Sequence, residues 1–309
     1  MRKKALCLLF IPLLLFLFLF PRESFNASCE GVSLWWNTVL PSLLPFMILS
    51  NLLMQTNMME TFLNKIQKVS CFCLGTSSYG AYALILGLLC GFPMGAKLTA
   101  DFYASGRIDK KEADYLLMVS NHASPMFIIN YIVLQTFENG KLQLPILGIL
   151  YGSAFISIVI WRIHGKRFHI TSKPLIKKEM STTGSTGAIL DTSIMSGFDT
   201  ITRLGGYIII FSIYGALLHK VLMALPTLQA LLAGVTEITT GAVCIHNSSL
   251  SWNMKFLLIL CCTSFGGLST VAQTNCVIQG SGLSVKTYLK GKILNTAVTS
   301  ILVLLFLIL

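Results

Sequence analysis

Long apolar runs, separated by short polar stretches, make up most of this chain. The first, Ala5 to Phe20, follows three basic residues, and further runs cover residues 33–54, 79–96, 122–137, 142–161, 203–224, 226–245, 254–275 and 292–309. Membrane hydrocarbon about 30 Å thick is crossed by about 20 residues of helix. Runs of roughly this length, without the alternation of a barrel strand, predict transmembrane α-helices.

Two of these runs contain residues that break a helix. The stretch 79–96 reaches Gly91-Phe92-Pro93-Met94-Gly95, and the stretch 254–275 contains Ser264-Phe265-Gly266-Gly267. A third, 122–137, is short and carries Pro125. Because proline and glycine interrupt helices, the pattern predicts discontinuous or re-entrant helices at the first two positions.

Composition excludes a soluble fold. Apolar residues make up 54% of the chain and charged residues 11%, against roughly 25% charged in soluble domains, and the mean hydropathy is +0.74. The net charge of +11 comes from basic residues in short loops, so it indicates membrane topology and no nucleic-acid partner. The predicted fold class is an all-α polytopic membrane protein that has the lipid bilayer as its partner.

Charged loops indicate the topology. Residues 162–178 hold six basic side chains and no acid, and they lead into the flexible run 181–187. The loop 162–187 is therefore predicted to be cytoplasmic, as is the amino terminus of an uncleaved first helix. Asp109 and Glu112 have capping-box spacing, which predicts an amphipathic helix at the membrane surface.

The two broken stretches align with each other. Laying Ala83–Asn121 over Phe256–Asn295, with one inserted residue, matches features in the same order: Phe92 with Phe265, Gly106 with Gly280, and Asn121 with Asn295. We interpret this as an internal duplication. The chain then has four parts: a first helix and short external loop (1–30), a first repeat (31–161), a basic cytoplasmic loop (162–187) and a second repeat (188–309).

The predicted orientation of the two repeats is inverted. If the first helix runs outward, the first repeat begins outside and the second begins inside. Inverted repeats with broken helices at matching positions are typical of secondary transporters, whose substrate site lies where the breaks meet. Lys286, Lys290 and Lys292 would then lie outside, against the positive-inside trend.

Five short motifs are distinctive: Leu34-Trp35-Trp36-Asn37, Pro41-Ser42-Leu43-Leu44-Pro45-Phe46, Gly91-Phe92-Pro93-Met94-Gly95-Ala96-Lys97-Leu98-Thr99, Ser120-Asn121-His122-Ala123-Ser124-Pro125 and Phe265-Gly266-Gly267-Leu268-Ser269. Together they resemble the sporulation integral membrane proteins of the YlbJ/SpoVV type, in the nucleoside-recognition or Gate group. The resemblance covers about residues 33–309, and the third motif is its most specific part.

This resemblance implies a fold similar to that of concentrative nucleoside transporters. It also implies a multi-pass protein of the bacterial cell membrane in an endospore-forming bacterium, with the outer forespore membrane as one location. The implied activity is transport of dipicolinate from the mother cell toward the forespore.

The first break offers candidate substrate-binding residues. A helix restarting after Pro93 and Gly95 presents free backbone N–H groups and a positive dipole end, which suits a carboxylate. Lys97, as the basic residue next to a break, adds a full charge, unless it only extends to the membrane interface. Asn121 and Ser124 break the next helix, where unwound carbonyls would bind a substrate or ion, or simply form a kink.

The second half supplies the facing candidates. Around the second break, hydroxyl, amide and backbone groups come from Ser264, Gly266, Gly267, Ser269 and Gln273, although glycines there also suit close helix packing. Glu237 is an acid in an otherwise uncharged stretch and is, with Thr240, the candidate site for a coupling H+ or Na+. The alternative is that Glu237 is an ordinary solvated side chain.

No enzyme, cofactor or metal site is predicted. HExxH, GxSxG and phosphate-loop spacings are missing from the sequence, and the nine cysteines form no CxxC pair. Two functions remain: a secondary transporter of a small anionic or nucleoside-like solute, and a non-transporting scaffold for assembly of the spore envelope or cortex. The short extramembrane loops favour transport, and a homo-oligomer is compatible with either function.

The predicted loop can be tested by labelling. In intact cells, a membrane-impermeant maleimide should not label Leu175→Cys or Gly184→Cys in a background without reactive native cysteines, because the loop faces the cytoplasm. Permeabilised cells are the control and should show labelling at both positions. Ready labelling in intact cells would place the loop outside.

Overall fold

The computed structural model describes residues 2–55, 74–164 and 186–308, and these ranges are helical with no β-strand. The helices are α1 Arg2–Leu19, α2 Pro21–Leu34, α3 Leu40–Gln55, α4 Ser78–Cys90, α5 Met94–Ala104, α6 Lys110–Val119, α7 Pro125–Phe127, α8 Gln143–His164, α9 Thr186–Val221, α10 Pro226–Thr236, α11 Ile238–His246, α12 Trp252–Phe265, α13 Gly267–Ile278 and α14 Val285–Ile308. Two π-helical stretches, Trp35–Val39 and Ile128–Thr136, join α2 to α3 and extend α7.

Several of these segments are long and apolar enough to cross a bilayer. Within the described ranges they are Gly140–Ile163, Gly187–Val221, Trp252–Ile278 and Val285–Ile308. A further span results if Phe10–Leu19 and Pro21–Val39, which are bent by 114°, are taken together. The chain is therefore an all-α polytopic membrane protein, as its apolar runs predict.

Two helices begin well before the apolar runs that predict them. The run 33–54 is the later part of a helix that starts at Pro21, where proline suits the first helical turn because its missing N–H is not needed there. Helix α9 starts at Thr186 instead of near residue 203. Most of the predicted cytoplasmic loop, residues 165–185, lies outside the described residues.

Both predicted interruptions are present. Helix α4 ends at Gly91 (φ 87°), and α5 restarts after Pro93. Helix α12 ends at Gly266 (φ 90°), and α13 restarts at once. A positive φ in this range is unfavourable for residues that carry a Cβ, so glycine sets both break points.

A third interruption lies inside the run 226–245, where no helix break is predicted from the sequence. Glu237 has an extended backbone (φ −149°, ψ 133°) between α10 and α11. Its carboxylate accepts hydrogen bonds from Thr239 N (2.9 Å) and Thr240 N (3.0 Å), so it caps the start of α11. The two short helices then pack closely, because a Cβ on Gly241 would collide with the backbone of Gly234.

Helix α6 is capped as its spacing predicts. Asp109 Oδ1 accepts a hydrogen bond from Glu112 N over 2.7 Å. Glu112 Oε1 accepts from Ser77 N (2.6 Å) at the start of α4, and its burial raises the pKa of the carboxyl. Helices α5 and α14 pack on this helix and fully bury residues such as Ala113 and Leu116, while Lys110 and Lys111 are exposed, as expected of an amphipathic helix. Its place at the membrane surface stays a prediction.

Helices α2 and α3 pack against α9. Trp35 donates its indole N–H to the Ile201 carbonyl over 2.9 Å. Its ring lies against Gly205, where an added Cβ would be 2.8 Å from the indole. Further along α9, Ile209 and Ser212 lie against Gly31 of α2, where an added Cβ would collide with them. Small residues thus allow these helices to approach closely.

The two broken regions share further features. Each break is followed by a helix of similar length, 11 residues for α5 and 12 for α13. Each of these helices is followed by a glycine with a left-handed backbone, Gly106 (φ 71°) and Gly280 (φ 83°). These features agree with the predicted alignment. The inverted orientation of the repeats and the likeness to nucleoside transporters stay predictions.

The close contact between α4 and the α6–α7 turn predicts that a larger residue at position 87 lowers the stability of the protein. A Cβ on Gly87 would collide with the Ser120 carbonyl, so Gly87→Ala should lower the melting temperature in detergent. We expect a net loss of about 1–3 kcal/mol from overpacking, despite the better helix propensity of alanine.

Gly148→Ala on α8 is the matched control, because nothing lies within 4 Å of its added Cβ. Its melting temperature should be unchanged or higher. Equal stability of both variants would contradict the packing described for Gly87.

Candidate functional site

The loop between α6 and α7, residues 120–124, lies directly against the first break. The Ser120 carbonyl is so close to Gly87 and Gly95 that a Cβ on either would collide with it. A Cβ on Gly91 would be 2.9 Å from Ser124 N. Ser124 itself caps α7 by accepting from Phe127 N over 3.2 Å. The predicted residues of these two segments are therefore neighbours in the structure.

Asn121 joins three helices at this place. Its Oδ1 accepts from Ala96 N (2.9 Å) in the first turn of α5, where Pro93 holds the N-cap position. Its Nδ2 donates to Thr274 Oγ1 on α13 over 3.3 Å. Its backbone carbonyl accepts from Lys292 Nζ on α14 over 2.9 Å. With 2% of its surface exposed, Asn121 connects the first break to both helices that follow the second break.

Lys292 is the buried cation of the site. It is 1% exposed, and its ammonium lies 4.5 Å from the centroid of the Phe92 ring, a cation–π distance. No carboxylate in the described ranges lies within 4.0 Å of Lys292. Lys292 differs in this from Lys286 and Lys290 on the same helix, which are exposed, because α6 packs against the turn of α14 that carries Lys292.

A signal for Lys292 is present in the sequence. Lys292, Asn295 and Thr299 recur at helical spacing in an apolar helix, so they share one face. All three are buried in the structure. This signal is easily missed, because Lys286 and Lys290 on the same helix are exposed and the three lysines look like one charged group.

Lys97 lies in the first turn of α5, next to the first break as expected, but its charge is paired. Its Nζ forms an ion pair with Asp101 on the same helix, at 2.8 Å. The expectation that Lys97 alone supplies positive charge next to a break is wrong, because Lys292 from the second half contacts both Phe92 and Asn121. The charge of Lys97 is balanced locally, whereas that of Lys292 is not.

The second break faces the first. A Cβ on Gly266 would be 3.0 Å from the tip of the Phe92 ring, so this ring lies between the second break and Lys292. Among the other predicted residues, Gln273 Nε2 donates to Ser269 Oγ over 3.1 Å, and both are buried on α13. The two breaks therefore meet, as a shared binding site requires.

Ser264, just before the second break, belongs to a buried group of hydroxyls. Its Oγ accepts from Asn295 Nδ2 (2.7 Å) and lies 2.9 Å from Thr299 Oγ1. Thr299 also contacts Ser153 Oγ on α8 over 2.8 Å. A cavity of about 10 Å³, room for roughly one water molecule, adjoins this group and is lined by His122, Ala123, Ile128, Leu150, Tyr151, Thr263, Ser264 and Asn295.

Glu237 is buried and adjoins the second break. It is 5% exposed, and a Cβ on Gly267 would be 3.3 Å from Glu237 N. Besides the two backbone N–H groups, its carboxylate accepts from the hydroxyls of Thr239 and Thr240. The interpretation of Glu237 as a solvated side chain is wrong, since α10 and α11 enclose it.

Ser120 is a residue that the sequence reasoning did not single out as a ligand. It is 0% exposed, and its Oγ has no hydrogen-bond partner among the residues that the structure describes. Buried hydroxyls are normally paired. The sequence offers no signal for this, because the missing partner depends on how the turn packs against α5.

The fold and the site define a class: a multi-pass α-helical membrane protein in which helix breaks surround a buried polar site. Sporulation integral membrane protein YlbJ of Bacillus subtilis (strain 168) is 28% identical to the chain over 325 aligned positions, covering 92% of the chain and 78% of that protein. The resemblance to YlbJ-type sporulation membrane proteins is thereby confirmed, and a membrane role in sporulation is consistent with it. No family model and no solved structure matches the chain.

Proposed function

We propose that the chain is a secondary transporter of a small anionic solute. The observation that carries this proposal is the ammonium group of Lys292, buried where the two helix breaks meet and without a carboxylate partner among the described residues. Ionisable groups at such depth in membrane proteins are costly and generally functional.

The energetic argument concerns the hydrogen bonds of Lys292. An ammonium has three donors, and the Asn121 carbonyl is one acceptor. Burying a charge without full pairing costs several kcal/mol, and the Phe92 ring offsets only part of that cost. A bound anion supplies the missing countercharge. The site is thus better matched to an anion than to a neutral nucleoside.

The helix breaks support transport over a scaffold function. Three breaks, at Gly91–Pro93, Glu237 and Gly266, lie next to one another inside the bundle. Secondary transporters bind solutes at such discontinuities, where helix ends and unwound backbone replace water. A scaffold has no evident need for a buried lysine or for broken helices at that depth.

Dipicolinate is the substrate that best combines these observations. It is a dianion, and the relative from Bacillus subtilis is a sporulation membrane protein. The family resemblance implies dipicolinate transport at the outer forespore membrane. Nucleoside-like solutes are the neutral comparison. Binding residues from both halves include Asn121 and Lys292.

A coupling ion is proposed at Glu237. Its carboxylate and the Thr240 hydroxyl adjoin the second break. A proton or sodium ion bound there would therefore affect the start of α13. The same carboxylate caps α11. Ion binding would therefore compete with capping and change how firmly α11 begins at residue 238.

The test of the substrate site is transport in proteoliposomes. Lys292→Met should lower dipicolinate kcat/KM at least tenfold, since a hydrogen bond to a charged group contributes about 1.5–3 kcal/mol. The variant should still fold, because replacing a buried charge by an apolar side chain is often neutral or stabilising. Labelled dipicolinate and uridine are compared at equal reconstituted protein, with and without a pH or sodium gradient.

Lys290→Met is the matched control, because this lysine is exposed on the same helix, and it should transport normally. Lys97→Gln should have a smaller effect than Lys292→Met, since Lys97 is paired with Asp101. If Lys292→Met transports dipicolinate as efficiently as the wild type does, the proposed anion site is refuted. If the wild-type protein transports neither dipicolinate nor uridine, the scaffold function is favoured.

The coupling proposal is tested with Glu237→Gln. An amide keeps an oxygen for the cap of α11 but cannot take up a proton or hold a sodium ion as a carboxylate does. Gradient-driven accumulation of dipicolinate should be lost, while downhill equilibration remains. Glu138→Gln, at an exposed turn, is the control and should accumulate normally. Normal accumulation by Glu237→Gln would leave this residue with a capping role alone.

A further inference from the structure

We infer that the first turn of α5, the Ser120 hydroxyl and the Lys292 ammonium form a subsite for one carboxylate group of the transported solute. The inference rests on the proposed function and deepens it, because it names the group that is recognised and the donors that recognise it.

The first donor is the N–H of Gly95. At the start of α5, Met94 N donates to Gly91 O, Ala96 N to Asn121 Oδ1, and Lys97 N to Pro93 O. Gly95 N has no acceptor within the ranges that the structure describes. A helix begins with several N–H groups that need partners, and here one remains. The Gly95 N–H lies at the positive end of the helix dipole of α5, which favours an anion.

The second donor is the Ser120 hydroxyl. Ser120 ends α6, and its backbone N–H already donates to Leu116 O. Its Oγ is buried and has no partner in the described part of the chain. It lies beside Gly95, where an added Cβ would be 2.7 Å from this oxygen. A hydroxyl that could have bonded to its own helix instead faces the start of the neighbouring one.

The third donor is the Lys292 ammonium, which carries the positive charge. Lys292 Nζ is anchored on the carbonyl of Asn121, the residue that follows Ser120. Its neighbour on the other side is the Phe92 ring, which cannot accept two strong hydrogen bonds. The ammonium is thus held near the turn from which the Ser120 hydroxyl projects.

These three donors together match a carboxylate. Its two oxygens accept up to about four hydrogen bonds and carry the charge that Lys292 lacks. A neutral carbonyl would satisfy the hydroxyl but leave the ammonium unbalanced. Gly95 and Ser120 are both buried in this conformation, so binding requires the 120–124 loop to move away from α5.

The experiment measures binding to the purified, detergent-solubilised full chain. The probes are pyridine-2,6-dicarboxylate, benzoate, inorganic phosphate and uridine. Ser120→Ala removes a hydroxyl without a partner, so the melting temperature of the free protein should be unchanged or higher. The Kd for both carboxylates should nevertheless rise about tenfold or more, and their stabilisation of the protein should fall accordingly.

Two further variants make the comparison specific. Ser120→Cys keeps the size with a weaker donor, so its Kd should lie between those of wild type and Ser120→Ala. Ser105→Ala, at the far end of α5 where the hydroxyl donates to Asp101 O, should bind carboxylates as the wild type does.

The outcomes separate this inference from the proposed function. If the wild type binds and transports pyridine-2,6-dicarboxylate but Ser120→Ala has an unchanged Kd, the subsite is refuted while the transporter stands. If phosphate binds as tightly as the carboxylates and depends equally on Ser120, the assignment to a carboxylate is overturned. Wild-type protein that transports no anion refutes the proposed function itself.

Discussion

The hydrogen bond from Lys292 to the carbonyl of Asn121 connects the two halves of this protein. It places a cation from the last helix on the turn that follows α6, and the Asn121 amide extends the connection to α5 and α13. Because the ammonium is buried, its surroundings must hold both the Phe92 ring and this carbonyl in place. The Phe92 ring belongs to the first break and also lies against Gly266 of the second, so both breaks adjoin this ammonium.

Much of the architecture is readable from the sequence because its determinants are local. Apolar runs predict the helices, and glycine at residues 91 and 266 predicts the interruptions, since the required backbone angles suit few other residues. The pairing of Asn121 with Asn295 singled out two residues that are buried and hydrogen-bonded between helices. The buried position of Lys292, in contrast, is not evident from the sequence, because the exposed Lys286 and Lys290 lie close to it.

What the sequence does not reveal depends on tertiary contacts. The break at Glu237 contains neither proline nor glycine, and it exists because the carboxylate folds back onto the N–H groups of Thr239 and Thr240. The unpaired hydroxyl of Ser120 is equally invisible, since pairing is decided by the approach of another helix. Burial of α6 follows from its contact with α14, which is distant in sequence.

The turn at the end of α6 also touches the backbones of three neighbouring helices directly. Gly87 on α4 and Gly95 on α5 contact the Ser120 carbonyl, and Gly291 on α14 contacts the backbone of Met118. Side chains can change rotamer and absorb a small shift, whereas touching backbones cannot. A displacement of this turn would therefore press directly on all three helices, two in the first half of the chain and one in the second.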